Sequence, residues 1–172
     1  MNHIIIKYHN TKYGEMILGS YNNRLCLCDW RYRKKRDSIY RRVKSYLKAD
    51  FLEGDSPVIS ETIKQLKEYM NYKRREFNIP LILAGTEFQK SVWKILLTIP
   101  FGKTSTYLKQ ATKIGKEKAV RAVASANGAN AISIIIPCHR IVGSNGSLIG
   151  YAGGLNVKEK LLKLEQDMFI QP

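Results

Sequence analysis

A cysteine and a histidine stand side by side at residues 137–140, Pro-Cys-His-Arg, and they are the pair in this chain best suited to covalent chemistry. A cysteine reacts as its thiolate, and a nearby imidazole or positive field lowers a thiol pKa from about 8.5 towards neutrality. Cys138 is therefore a candidate nucleophile and His139 a candidate base. The alternative is that Cys138 is a small, inert core residue, as many unpaired cysteines are.

The apolar run before this pair predicts where the pair lies. Residues 132–136 read Ile-Ser-Ile-Ile-Ile, which predicts a buried strand. Pro137 cannot donate to a strand ladder, so the chain must turn there. We therefore expect Cys138 at the edge of the core, where it can be reached from outside.

A carboxylate on the last predicted helix supplies a third group. This helix carries Leu161 and Leu164 on its apolar face, and Glu165 lies on the same face. A buried carboxylate is costly unless it is paired, and His139 is the best titratable partner. Cys138, His139 and Glu165 would then act as nucleophile, base and orienting group.

Composition and charge limit the class of protein. The chain has 172 residues, 44% of them apolar, which suits one or two small globular domains. Three cysteines argue against a disulfide framework, and no apolar run approaches the roughly 18 residues that span a bilayer, so we expect a cytoplasmic protein. The net charge of +15 predicts a polyanionic partner, nucleic acid ahead of membrane. The basic segment 31–48, taken alone, is better explained as a solvated amphipathic face.

Turn residues and helix signals predict two domains, residues 1–84 and residues 85–172. Three short strands are predicted in the first domain, at residues 4–6, 15–19 and 24–30. Two helices are predicted to follow, with Ser38 and Ser56 as their N-caps. The first domain is thus expected to be a small α/β unit with an antiparallel sheet.

The second domain is predicted to be mostly helical. It opens with a capping box, in which Thr86 and Gln89 each satisfy a free backbone donor. Further on, helices over about 107–113 and 117–127 flank a turn at Gly115. Helix, short turn and helix is the layout of a helix-turn-helix motif, and we expect a winged form of it.

The second helix of that motif carries an unusual outward face. The outward-facing residues are predicted to be Lys118, Arg121, Ala122 and Ser125, so Arg121 projects beside small residues. Small side chains let a backbone approach a nucleic-acid groove closely, and a guanidinium can stack on bases and fill the space of an extruded one. The alternative is an ordinary exposed arginine.

Several motifs together carry a resemblance to a known family. They are Gly85-Thr86-Glu87-Phe88-Gln89 with Val92-Trp93, Ile99-Pro100-Phe101-Gly102 through Tyr107, Arg121-Ala122-Val123, Asn127-Gly128, Ile136-Pro137-Cys138-His139-Arg140-Ile141-Val142, and Gly150-Tyr151-Ala152-Gly153-Gly154-Leu155 with Lys158-Glu159. In these motifs the chain closely resembles the O6-alkylguanine-DNA alkyltransferases, also called methylated-DNA-protein-cysteine methyltransferases. The resemblance covers residues 85–166 almost continuously.

The resemblance implies a suicide enzyme of DNA repair. In that family a cysteine takes the alkyl group from O6 of a flipped guanine in one irreversible displacement, without metal or organic cofactor. The implied partner is double-stranded DNA containing alkylated guanine, with O4-alkylthymine as a second candidate substrate. We expect a monomer without membrane association, and cooperative loading along DNA is known in the family.

The resemblance also implies roles for individual residues. The implied catalytic residues are Cys138, His139, Glu165 and Asn130. The implied DNA contacts are Tyr107, Arg121, Ala122, Ser125 and Arg140. The implied pocket for the substrate base is formed by Tyr107, Ile141, Tyr151 and Ala152.

The chain departs from the family pattern at one position and leaves other functions open. Ala131 stands where the family commonly has proline, so the loop before the active cysteine is expected to be less rigid. No structural zinc is expected, because Cys26 and Cys28 alternate on a strand and the histidines show no ligand spacing. A non-catalytic binder of alkylated DNA would carry a bulky residue in place of Cys138. A helix-turn-helix regulator would need no Glu165, and a cysteine hydrolase would need an oxyanion hole that cannot be read here.

Overall fold

The chain divides into two units between Gly85 and Thr86, one residue beyond the expected boundary. The computed structural model describes residues 2–170, with side chains through residue 168. Within this described part, no helix is both long and apolar enough to cross a membrane.

The first unit contains a four-stranded sheet and two helices. Its elements are β1 (His3–Thr11), β2 (Gly14–Tyr21), β3 (Arg24–Trp30), α1 (Arg36–Leu47), β4 (Asp50–Glu53) and α2 (Pro57–Met70). The strand order is β3-β2-β1-β4, with antiparallel pairs except for β4, which runs parallel to β1. Asn22 and Asn23 both have positive φ between β2 and β3, as a tight hairpin turn requires.

Local signals located most of these elements correctly. The three predicted strands are confirmed, and Ser56 caps α2 by accepting a hydrogen bond from the backbone N–H of Ile59. The prediction that Ser38 caps α1 is wrong, because α1 begins at Arg36 and Ser38 lies inside its first turn. Strand β4 was not predicted, since its four residues show no alternation of apolar and polar side chains.

The second unit is mainly helical. Its elements are α3 (Glu87–Leu96), β5 (Ser105–Thr106), α4 (Tyr107–Ile114), α5 (Val120–Gly128), β6 (Ile141–Val142) and α6 (Leu155–Ile170). The capping box of Thr86 and Gln89 at the start of α3 is confirmed. Gly115 ends α4 in the left-handed conformation, with φ of 78°, and a 3-10 turn leads into α5.

Two buried amides fix α4 against α5. Gln110 Nε2 donates to Asn127 Oδ1 at 2.9 Å, and Asn127 Nδ2 donates back to Gln110 Oε1 at 2.6 Å. Trp93 of α3 adds a third tie by donating from Nε1 to the carbonyl of Ala126 at 2.8 Å. These buried hydrogen bonds therefore tie α3, α4 and α5 to one another.

The segment before Pro137 is buried, but it is not a strand. Ile134 has φ of 73°, and the N–H groups of Ile135 and Ile136 donate to the carbonyls of Ser133 and Ile132 within the same segment. From Ser133 to Ile136 the backbone therefore forms turns and not an extended strand. A short, continuous apolar run does not distinguish these two buried conformations.

Candidate functional site

Cys138 opens a single 3-10 turn that is held from behind by Asn130. The Nδ2 atom of Asn130 donates to the carbonyl of Ile136 at 2.9 Å and lies 3.3 Å from Cys138 Sγ. Its Oδ1 atom accepts from the N–H of Ile132 at 2.9 Å. One buried amide thus orients both the turn and the sulfur of Cys138, which is itself partly exposed. These bonds hold the loop that carries Ala131.

Cys138 is also the only one of the three cysteines that is not fully buried. Burial raises the pKa of the Cys26 thiol to about 12 and moves the pKa of Cys28 in the same direction. Both therefore stay protonated at neutral pH, and thiolate chemistry is left to Cys138.

The imidazole of His139 is fully buried and is bound to Glu165. Its Nε2 lies 2.7 Å from Glu165 Oε1. An ionised carboxylate accepts a hydrogen bond, so Nε2 carries the proton and Nδ1 presents its lone pair. Among the described residues Nδ1 has no hydrogen-bond partner. It is therefore the nitrogen of His139 that can accept a proton.

Arg140 does not face outward, which corrects the expectation that it contacts DNA. Its guanidinium donates from Nε and Nη2 to the two oxygens of Glu165, at 2.9 to 3.2 Å, and from Nη1 to the carbonyl of Ile99 at 2.7 Å. The residue is 8% exposed. The motif alone could not show this, because the bidentate partner lies 25 residues further along the chain. Arg140 supports Glu165.

These contacts set the charge of each partner. Burial alone would raise the pKa of Glu165, but His139 and Arg140 outweigh it and hold that pKa well below its usual range. Burial lowers the pKa of His139, with Arg140 and Lys158 acting in the same direction against the attraction of Glu165. The site at neutral pH therefore holds an ionised Glu165, a permanent Arg140 cation and a neutral imidazole.

Tyr107 is linked to the segment before Tyr151. The hydroxyl of Tyr107, at the start of α4, donates to the carbonyl of Ile149 at 3.5 Å. Burial raises the pKa of Tyr107, and the Cys138 thiolate raises it further, so the hydroxyl keeps its proton. The Tyr151 ring lies edge-on to His139, with 6.4 Å between centroids. These contacts place Tyr107 and Tyr151 near the nucleophile.

The remaining predicted residues lie in two different environments. Ile141 is fully buried, backbone included, whereas Ala152 is half-buried. On α5, Arg121, Ala122 and Ser125 are all exposed, as predicted.

Lys158 is a residue of this site to which the sequence analysis gave no role. Its side chain is fully buried, and Nζ donates to the carbonyls of Ile149 at 2.9 Å and Gly150 at 3.0 Å. Burial lowers the pKa of Lys158, while the Cys138 thiolate raises it. A charged residue on an apolar helix face, the feature that identified Glu165, could also have identified Lys158. Lys158 lies on the buried face of α6, three residues before Leu161.

We expect Lys158→Met to slow the reaction of Cys138 with iodoacetamide. The variant removes the buried cation that favours the thiolate and frees the segment at Ile149. The rate at neutral pH should fall by about tenfold, with the pH profile displaced to higher pH. Lys160→Met, an exposed position on the same helix, is the matched control. A Lys158→Met rate equal to that of the control at every pH would contradict this role.

Comparison with known proteins gives consistent matches. A family model described as 6-O-methylguanine DNA methyltransferase, DNA binding domain, matches residues 87–167. A methylated-DNA--protein-cysteine methyltransferase of Methanosarcina barkeri is 47% identical over 134 residues, which are 78% of this chain and 84% of that protein. A protein of the same name from Mycobacterium bovis is 49% identical over 112 residues, 65% of this chain and 68% of that protein.

A solved structure is similar as well. The crystal structure of Mycobacterium tuberculosis OGT in complex with DNA matches with a TM-score of 0.82 and 36% sequence identity. The match covers 96% of this chain and 94% of that one. Similarity therefore extends beyond the residues that the family model matches.

Proposed function

The chain belongs to the family of methylated-DNA--protein-cysteine methyltransferases, and on that premise we propose that Cys138 takes the alkyl group directly from O6 of a guanine in DNA. It is an enzyme of DNA repair that transfers an alkyl group to cysteine. The observation that carries the assignment of Cys138 is the buried His139–Glu165 pair beside a partly exposed thiol. We assign both the chemistry and the contacts with the damaged base to residues from Thr86 onward.

The proposed reaction is a single displacement. The Cys138 proton passes to Nδ1 of His139 through an intervening water, and Glu165 steadies the imidazolium that forms. The thiolate attacks the alkyl carbon, a carbon–sulfur bond forms, and the carbon–oxygen bond breaks with its electron pair moving to the guanine. The Tyr107 hydroxyl, which stays protonated, is placed to stabilise the departing base.

The product explains why the enzyme would work once. Neither water nor a neutral imidazole cleaves the carbon–sulfur bond of a thioether, so each protein molecule would be consumed by one alkyl group. No metal or organic cofactor is required in this scheme, because the thiolate, the base and the hydrogen-bond donor to the departing guanine are all side chains.

The intact mass of the protein, after incubation with a duplex oligonucleotide carrying O6-methylguanine, tests this proposal. We expect one methyl group to replace one hydrogen, with peptide mapping locating it at Cys138. A folded protein that binds the oligonucleotide without a change in mass would instead be a damage-binding or regulatory protein.

Helix α5 has a proposed role in base flipping, the extrusion of the damaged guanine from the duplex. We propose that Arg121 enters the stack where the damaged guanine leaves it, because Arg121 projects from the small residues Ala122 and Ser125. Unstacking costs a few kcal/mol in duplex DNA and less in a single strand. Arg121 is thus assigned to extrusion of the base and not to the chemistry.

We expect Arg121→Ala to slow methyl transfer from duplex DNA by about 10²-fold and from single-stranded DNA much less. Single-turnover rates on the two substrates measure the difference directly. Lys118→Ala removes an exposed cation nearby in sequence and serves as the control. Equal losses on both substrates would assign Arg121 to general DNA binding instead.

A further inference from the structure

The net charge of the first unit lies in one segment. Residues 31–48 contain nine basic residues and one acid, Asp37. Elsewhere in residues 1–85 there are eight basic and eight acidic residues, which cancel. The positive charge of this unit is therefore local, and the proposed transfer of an alkyl group to Cys138 does not account for it.

Some of the nine cations serve the fold of the first unit. Arg33 is buried and pairs with the buried Asp29 at 3.0 Å. Arg31 pairs with Glu15 at 2.7 Å, and Arg42 donates to the carbonyl of Ala84 at 2.9 Å. These three side chains need no external partner.

Five others are exposed and have no carboxylate partner in the described part of the chain. They are Lys34, Lys35, Arg36, Arg41 and Lys48, called here the basic surface. Two tyrosines of the same segment, Tyr32 and Tyr46, are 48% and 44% exposed. Cations and aromatic rings thus share one solvent-facing segment, the composition that nucleic-acid surfaces favour.

The placement of these cations opposes the stability of α1. Residues 34–36 stand at the N-terminal end of the helix, where the helix dipole is positive and acidic side chains are preferred. Only Asp37 is acidic in the first turn, and the N-cap Lys35 makes no side-chain capping bond. Three adjacent cations there destabilise the helix slightly, so their presence is better explained by an external anion than by the fold.

We propose that the basic surface binds the phosphate backbone of duplex DNA, an inference that rests on DNA being the substrate. Helix α1 has 12 residues and is about 18 Å long, a distance over which duplex DNA carries about ten phosphate charges. Phosphate contacts carry no sequence information, which suits a protein that must search DNA of any sequence. An anionic membrane suits α1 less well, because Ile39 and Val43 are buried in the unit and no apolar face remains.

The test compares two full-length variants that remove equal charge from different places. In the first, Lys34, Lys35 and Arg41 of the basic surface are changed to Gln. In the second, Lys64, Lys67 and Lys73 are changed to Gln, which are exposed residues of the same unit outside the segment. The affinity for an undamaged duplex is measured for each at several salt concentrations.

We expect the logarithm of the DNA-binding constant to fall less steeply with the logarithm of the salt concentration in the basic-surface variant. The magnitude of the slope should be smaller by about two to three, because each lost phosphate contact lowers it by about 0.9. Its affinity at about 0.1 M salt should fall at least tenfold relative to the control. The methyl-transfer rate at saturating DNA should be unchanged, which separates this surface from the chemistry at Cys138.

Two results would overturn the proposal. The first is a pair of variants with the same salt slope, since the effect would then be one of net charge alone. The second is an unchanged DNA slope together with loss of binding to phosphatidylserine vesicles, which would assign the basic surface to membranes. The wild-type protein could show the expected salt dependence of DNA binding and yet transfer no methyl group. The proposed DNA contact would then be supported, and the proposed chemistry at Cys138 would be refuted.

Discussion

Replacing Cys138 with serine should abolish methyl transfer and leave the fold and DNA binding intact. A serine hydroxyl is far less acidic than a thiol, and a neutral His139 cannot supply the missing nucleophilicity. Loss of the nucleophile lowers the rate of a serine protease by about 10⁶-fold, and we expect a loss of similar size here. No methylated product should therefore be seen in the mass spectrum of Cys138→Ser after prolonged incubation.

The two other cysteines provide the control for this result. Cys26 and Cys28 are buried on β3, so a Cys26→Ser variant should transfer methyl groups at the wild-type rate if it folds. Retained transfer in Cys138→Ser, with the label on another residue, would refute the assignment of the nucleophile.

Changing Glu165 to Gln should lower both the free energy of unfolding and the rate of methyl transfer. Glu165 is 1% exposed and is the only carboxylate that pairs with Arg140 among the described residues, so the variant leaves a buried guanidinium without its counter-charge. Breaking a buried ion pair on one side costs about 3–5 kcal/mol of the free energy of unfolding. Urea denaturation monitored by fluorescence measures this loss.

The same variant should slow methyl transfer at temperatures where it remains folded. A glutamine amide can donate to Nε2 of His139, which would move the imidazole proton to Nδ1 and leave no base facing the thiol. Loss of a general base costs about 10²–10⁴-fold. Glu159→Gln, an exposed position on the same helix, should change neither property. A wild-type transfer rate in Glu165→Gln would remove Glu165 from the mechanism.

The pH dependence of stability follows from the same pair. The pKa of Glu165 is depressed in the folded state, so its stabilisation is present above the unfolded pKa of about 4.3 and is lost as pH falls. The pKa of His139 is also depressed in the folded state, so below about pH 6.5 the unfolded chain binds a proton more readily than the folded one. The free energy of unfolding therefore falls further as the pH drops below that value. Acid titration of unfolding should therefore show both losses of stability in the wild type, and a smaller loss below about pH 4.3 in Glu165→Gln.

The sequence by itself determined the residues that can react and the helices that carry them. Capping boxes, N-caps and glycine turns act within three or four residues, so the starts of α2 and α3 could be read without any tertiary contact. Glu165 was found in the same way, because a charge on an apolar helix face requires a partner.

Only the tertiary structure decided how those residues are connected. Arg140 looked like a DNA contact until its partner Glu165 was located, and Lys158 had no role until its bonds to the carbonyls of Ile149 and Gly150 were seen. Likewise, residues 132–136 carried a strand-like pattern but form buried turns anchored by Asn130. Hydrophobic patterns report burial, whereas the partner of a buried polar group is chosen by chain segments that meet only after folding.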